Sequence, residues 1–240
     1  MTGNQTSPHP KPLRLMLQLV LVALAYVAAS TVPVLALGPT SAGLALSSPA
    51  GMLGGLGAAW LILRRSGDFA RALGLVKVAS WPRMLALAAL AAGGTFAIFS
   101  LGGAIAQSFG LPGPAVGETI ALAAQSPAHL VMWIVLVAWL GAGFGEEVLW
   151  RGLLMDRLSH LPALARSPVA VLVVQAMIFG LAHAYQGVAG VLITGVVGLW
   201  FGLIRRMAGG AIWAAVIGHA TVDTVMLSLG YAQAAGLIGA

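Results

Sequence analysis

The sequence contains no cysteine. That excludes a disulfide framework, a thiolate metal site and a cysteine nucleophile. Charge is scarce too: 8% of the 240 residues are Asp, Glu, Lys or Arg, against 60% hydrophobic residues. No stretch outside the apolar runs is long enough for a soluble domain. The short alternating segments of an outer-membrane barrel are also missing. The net charge of +6 does not point to nucleic acid, because the basic residues are dispersed among short loops.

What is present is a series of apolar runs, several of about 18 residues or more, the length that crosses a ~30 Å hydrocarbon core. The pattern predicts an all-α, polytopic transmembrane helical bundle of about seven spans, or eight helices if loop 107–127 hides a short one. The expected spans cover residues 13–37, 49–63, 84–106, 128 onward, 168–184, 188–204 and 209–231. Residues 38–48 read as an uncharged loop, and F-A-R-A-L-G-L at 69–75 as a short surface helix. Residues 1–12 are polar and proline-rich and read as a disordered leader, leaving 13–240 as one transmembrane domain. The V-A-A before Ser30 is a loose cleavage pattern, but the apolar run continues past it, so the run is expected to be retained. Trp60, Trp81, Trp133, Trp150 and Trp200 read as interface-belt residues.

Orientation follows from the basic residues. With the N-terminus inside, the leader, the start of span one (Arg14) and the loops at 64–83, 151–167 and 205–208 hold all twelve Lys and Arg, and the opposite loops hold none. This partition predicts a cytoplasmic N-terminus in a multi-pass protein of a plasma membrane.

Against this background Gly141 to Arg151, G-A-G-F-G-E-E-V-L-W-R, stands out as a concentration of charge at the end of an apolar run. Each ionised residue at a helix centre costs ~2.5–3.5 kcal/mol on a translocon scale, so these groups need a reason. On a helix Glu147 and Arg151 are four apart in the favourable order, whereas Glu146 points about 100° away. One carboxylate is then neutralised and the other faces a cavity. The glycines at 141, 143 and 145 let another helix or a substrate backbone approach. His183 ends span five in F-G-L-A-H, and His219 and Asp223 share a face in H-A-T-V-D.

Each feature alone has a plain structural reading. Glu147–Arg151 is then a buried ion pair, His183 a helix-end histidine, and His219–Asp223 an intrahelical hydrogen bond. Three spans each carrying titratable groups are harder to explain that way, since such residues usually face a bundle interior or a wet cavity. If Glu146, His183, His219 and Asp223 converge, they provide a general base, a partner for it, and two oxyanion stabilisers or metal ligands, suited to attack of water on a carbonyl such as a peptide bond.

E-E-V-L-W-R at 146–151, F-G-L-A-H at 179–183 and H-A-T-V-D at 219–223 resemble the three ordered motifs of the CPBP family, E-E-x-x-x-R, F-x-x-x-H and H-x-x-x-N/D. This family of intramembrane proteases includes CAAX prenyl endopeptidases and bacteriocin-processing or immunity proteins. The resemblance covers about 128–231. It implies that Glu146 activates water together with His183, that Glu147 and Arg151 support the site, and that His219 and Asp223 form its oxyanion side. Asp223 stands where the prenyl-protease branch often has Asn, and an aspartate donates only if protonated, a state that an apolar site can enforce; otherwise it orients His219.

On cofactors two readings stand: none, or zinc held by Glu146, His183 and His219, although the H-E-x-x-H signature of many zinc proteases is absent. The expected partners are a membrane peptide or protein substrate, prenylated or not, and the lipid bilayer, with no nucleic acid. A non-catalytic immunity or scaffold protein of the same family is the alternative function. An ion-coupled transporter ranks below it, because the first half carries no intramembrane charge.

Overall fold

A computed structural model describes residues 12–65 and 68–239. Residues 1–11 of the expected leader lie outside the described residues, and Pro12 already belongs to the first helix. The described residues contain helices and turns and no strand. In chain order the helices are α1 (Pro12–Leu37), α2 (Ser41–Leu63), α3 (Phe69–Ala72), α4 (Trp81–Ser108), α5 (Gly117–Ala123) and α6 (Pro127–Trp133). α6 runs without a break into a wide-turned π-helix (Ile134–Leu154) and then α7 (Met155–Ser159). α8 (Pro168–Ala182), a 3₁₀ turn (Ala184–Gln186), α9 (Gly187–Met207) and α10 (Trp213–Ala234) complete the chain.

Five helical stretches are long and apolar enough to cross a membrane: Pro12–Leu37, Ser41–Leu63, Trp81–Ser108, Pro127–Ser159 and Ala184–Met207. α8 is equally apolar but has only 15 residues. α10 has 22 residues and carries His219 and Asp223, which lower its hydropathy. The expected fourth span therefore persists to Ser159, with His160 as its C-cap. Glu146 falls well inside it rather than at its end.

Two expectations are corrected. The loop at 38–48 shrinks to a turn, because the Thr40 side chain caps the Gly43 N–H at 3.1 Å and starts α2 at Ser41. Pro49 is carried inside that helix; membrane helices tolerate proline where neighbours re-satisfy the freed carbonyl. The short helix expected within 69–75 forms at Phe69–Ala72, with Ala70 and Arg71 exposed and Ala72 and Leu73 buried. The chain after it tucks beneath α10: Gly74 turns with φ +69°, its carbonyl accepts from Ile212 N–H at 3.2 Å, and Val76 accepts from Trp213 Nε1 at 3.2 Å. Among the tryptophans, Trp60 and Trp81 are exposed, whereas Trp133 is buried and donates to Ser41 Oγ at 2.9 Å. Trp200 donates to the Ala91 carbonyl at 3.0 Å, and Trp150 packs edge-on against Phe179. A buried indole needs a partner for its N–H, which Trp133 has, and Trp150 and Trp200 are partly buried against neighbouring helices.

The π-helix lies between α2 and α10; α4 packs on α10 and α9, and α8 on α9. The glycine triplet sets the close approaches. A Cβ at Gly143 would stand 2.7 Å from the Ala220 Cβ on α10, and one at Gly145 would run into Met52 of α2. Neighbouring helices thus fill the space that the glycines leave. Dispersion from such tight small-residue contacts drives helix association in lipid, where the hydrophobic effect between helices is missing.

Candidate active site

Glu147 is the hub of the site. Its Oε1 accepts from Arg151 Nη1 at 2.9 Å, one turn along the π-helix, and both side chains are fully buried. The same oxygen lies 2.9 Å from Nδ1 of His219, which comes from α10. The expected local ion pair is therefore a three-way contact that joins two helices.

Arg151 is held by aromatic rings as well. Its guanidinium lies 4.1 Å from the ring centroid of Phe179 and 5.2 Å from that of Phe201. A desolvated cation over a ring gains roughly 2 kcal/mol. Each ring also touches a histidine: Phe179 sits 4.6 Å from His183, and Phe201 stacks on His219 at 5.2 Å. Phe179 belongs to the F-G-L-A-H stretch, and its ring spans the gap between the arginine and the imidazole. Phe201, fully buried on α9, escaped sequence reasoning; one aromatic in an apolar helix carries no signal of its own.

His183 caps the C-terminus of α8, where the helix stops and the 3₁₀ turn begins. Its Nδ1 lies 2.8 Å from the Phe179 carbonyl. A carbonyl only accepts, so Nδ1 carries the hydrogen and Nε2 presents a lone pair in the neutral ring. The turn is completed by Gly187 at φ +81°, which starts α9.

Glu146, His183, His219 and Asp223 all line one cavity of about 330 Å³. Glu146 does not share the ion pair of Glu147, and its Oε2 is buried without a hydrogen-bond partner in the protein. His219 Nε2 lies 3.7 Å from Asp223 Oδ2, which is ion-pair range but too long for a hydrogen bond. Apolar side chains such as Phe96, Phe99, Val197 and Met226 form most of the remaining wall. Pro114, Val116 and Thr119, from the chain between α4 and α6, cover one side. That cover is fastened by Ala115 N–H donating to the Gln186 carbonyl at 3.1 Å. Tyr185 and Gln186 also line the cavity and bond to each other, Nε2 to Oη at 3.2 Å.

The family model described as type II CAAX prenyl endopeptidase Rce1-like matches residues 128–225. The match supports the resemblance of this segment to the CAAX protease family. The segment contains the π-helix, α8, α9 and most of α10, and so every ionisable group of the cavity. No curated protein and no solved structure matches the chain.

The CAAX protease resemblance raises the question of zinc. Among the described residues, no group of three or more His, Asp or Glu side chains is gathered closely enough to hold a metal ion. His219 Nδ1 is engaged by Glu147 and His183 Nδ1 by a backbone carbonyl. Glu146, His183 and His219, as placed, do not fit a three-ligand centre.

Proposed function

We propose that the chain is an intramembrane endopeptidase that hydrolyses a peptide bond of a membrane-associated substrate by attack of an activated water. The observation that carries this reading is the meeting of Glu146 and His183 with His219 and Asp223 around one cavity, within the segment that matches a peptidase family.

In this reading the Glu146 carboxylate takes a proton from water as the water oxygen bonds to the scissile carbonyl carbon. The neutral His183 ring, with Nδ1–H held by the Phe179 carbonyl, accepts from the same water at Nε2 and orients it. The carbonyl oxygen becomes an oxyanion. In its imidazolium form His219 donates from Nδ1 to Glu147 and offers Nε2–H to that oxyanion, with Asp223 beside it as a protonated donor or as the group that fixes the ring. The tetrahedral intermediate then collapses. The C–N bond breaks, the nitrogen takes the proton held by Glu146, and an amine and a carboxylic acid leave, the acid losing its remaining proton to solvent. Glu147 and Arg151 act as positioning residues, holding His219 from behind. The apolar wall excludes bulk water, which strengthens each of these interactions.

The partition of the basic residues supports a cytoplasmic N-terminus, and in this reading the membrane is a bacterial plasma membrane. The test uses purified full-length protein and a membrane-anchored peptide library. Glu146→Gln and His183→Ala should each abolish cleavage while thermal unfolding in detergent stays unchanged. Activity that survives both changes would reassign the chain to a non-catalytic scaffold role.

A further inference from the structure

A second recess opens away from the candidate active site, where α7 ends, α8 begins and α9 ends. It has a volume of about 240 Å³, and its lining includes Asp156, Ser159, Leu164, Val171, Arg205 and Arg206. We propose that this recess binds the phosphate group of an anionic membrane phospholipid.

The charge balance comes first. Asp156 is the only acid of the recess, and it is already matched: Arg157 Nε donates to its Oδ2 at 2.8 Å, Arg157 Nη2 forms an ion pair with the same oxygen, and His160 Nδ1 stands 3.8 Å away. Among the described residues no carboxylate lies within ion-pair distance of Arg205 or Arg206, although the charge of Asp156 acts on Arg205 through space. Arg205 uses Nε to bond the Gly210 carbonyl at 3.2 Å, which leaves its terminal nitrogens free. The end of α9 does not require them, since Arg83 Nη2 from α4 already donates to the Met207 carbonyl at 2.9 Å. Ser159 is engaged as a donor to the Asp156 carbonyl, so recognition falls to the two guanidinium groups. Paired, planar guanidiniums suit a phosphate better than any other common anion except a carboxylate.

The apolar surroundings choose the source of that phosphate. On α9 the exposed residues Leu192, Val196, Leu199 and Leu203 recur at helical spacing and lead to Arg206. On α8 the exposed residues Val169, Val173, Met177 and Leu181 run away from the same recess. A headgroup seated on the arginine pair would lay two acyl chains along these two stripes. Free phosphate needs neither. Arginines that merely snorkel to an interface reach outward from a helix end, whereas Arg205 is half-buried in the wall of the recess. Basic pockets between membrane helices on the cytoplasmic side hold anionic headgroups by this logic.

The test uses the full chain in neutral detergent. Binding of a short-chain phosphatidylglycerol is titrated by native mass spectrometry, with phosphatidylcholine and inorganic phosphate as competitors. Arg206→Gln should weaken phosphatidylglycerol binding roughly fivefold, Arg205→Gln at least as much, and Arg206→Lys clearly less. Arg65→Gln, at the end of α2 and outside the recess, should have no effect. Unfolding temperatures confirm that each variant is folded, and Arg206, being exposed, provides the variant least coupled to folding. Competition by inorganic phosphate as effective as that by phosphatidylglycerol would assign the site to a free anion and overturn the lipid reading. An unchanged affinity in Arg206→Gln, or an equal loss in Arg65→Gln, would overturn the site itself by showing diffuse surface charge.

Discussion

His219 Nδ1 lies 2.9 Å from the same Glu147 oxygen that holds Arg151. His219, 72 positions along the chain from Glu147, thereby shares one buried carboxylate with Arg151. Stability and the aim of a site imidazole are coupled through that atom.

The coupling gives the first prediction. Arg151→Ala removes the fully buried partner of Glu147 and leaves only His219 beside it, and should cost about 3–5 kcal/mol of stability. The double change Glu147→Leu with Arg151→Met removes both charges and should recover most of that loss. It should not recover cleavage, because His219 is left unanchored. Thermal unfolding in detergent and single-turnover cleavage, measured on the same preparations, separate the two effects.

Asp223 supplies a second prediction. Asp223→Asn keeps a polar group that can donate without being protonated, and cleavage should stay within about tenfold of the parent. Asp223→Leu removes the group and should lower kcat by on the order of 10²-fold. If the two variants lost activity equally, Asp223 would have no part in stabilising the oxyanion.

Gly143 tests helix packing apart from chemistry. A Cβ there meets the Ala220 Cβ at 2.7 Å and the Val216 carbonyl oxygen at 3.2 Å. Gly143→Ala should therefore cost about 1–3 kcal/mol through overpacking. Ala220→Gly in the same chain should return part of it. The measure is the non-additivity of the two unfolding free energies.

Gly187 is the converse case. A Cβ there would meet nothing within 4 Å, yet φ is +81° and ψ is −178°. That backbone region belongs to glycine, so Gly187→Ala should cost about 1–3 kcal/mol by strain alone. Because Gly187 closes the turn behind His183, cleavage should fall with stability, and no second-site change in packing should rescue it.

The helices and the meeting of the polar residues were legible in the sequence for a physical reason. Apolar runs of spanning length have little choice but to form helices in lipid. Acids and histidines set inside such runs are too costly to leave facing lipid, and Glu146, His183, His219 and Asp223 do line a common cavity. What stayed hidden depends on contacts between distant segments. The sharing of Glu147 between Arg151 and His219 requires a particular rotation of α10 against the π-helix. The burial of Leu73 requires Gly152, where a Cβ would stand 2.4 Å from the Leu73 carbonyl oxygen. The early start of α2 turned on one capping threonine, set against the misleading signal of Pro49. Gln175 also gave no signal: it is buried, and neither polar atom of its side chain has a partner in the protein.

α8 has 15 residues and so rises only about 22 Å, at ~1.5 Å per residue, several ångström less than a ~30 Å hydrocarbon layer. A crossing by α8 alone thus leaves His183 short of the far face of such a layer. The chain fastened at Ala115 to Gln186 runs beside the cavity that His183 lines. In the proposed peptidase, the clearance beside that segment would limit how bulky a peptide can reach Glu146.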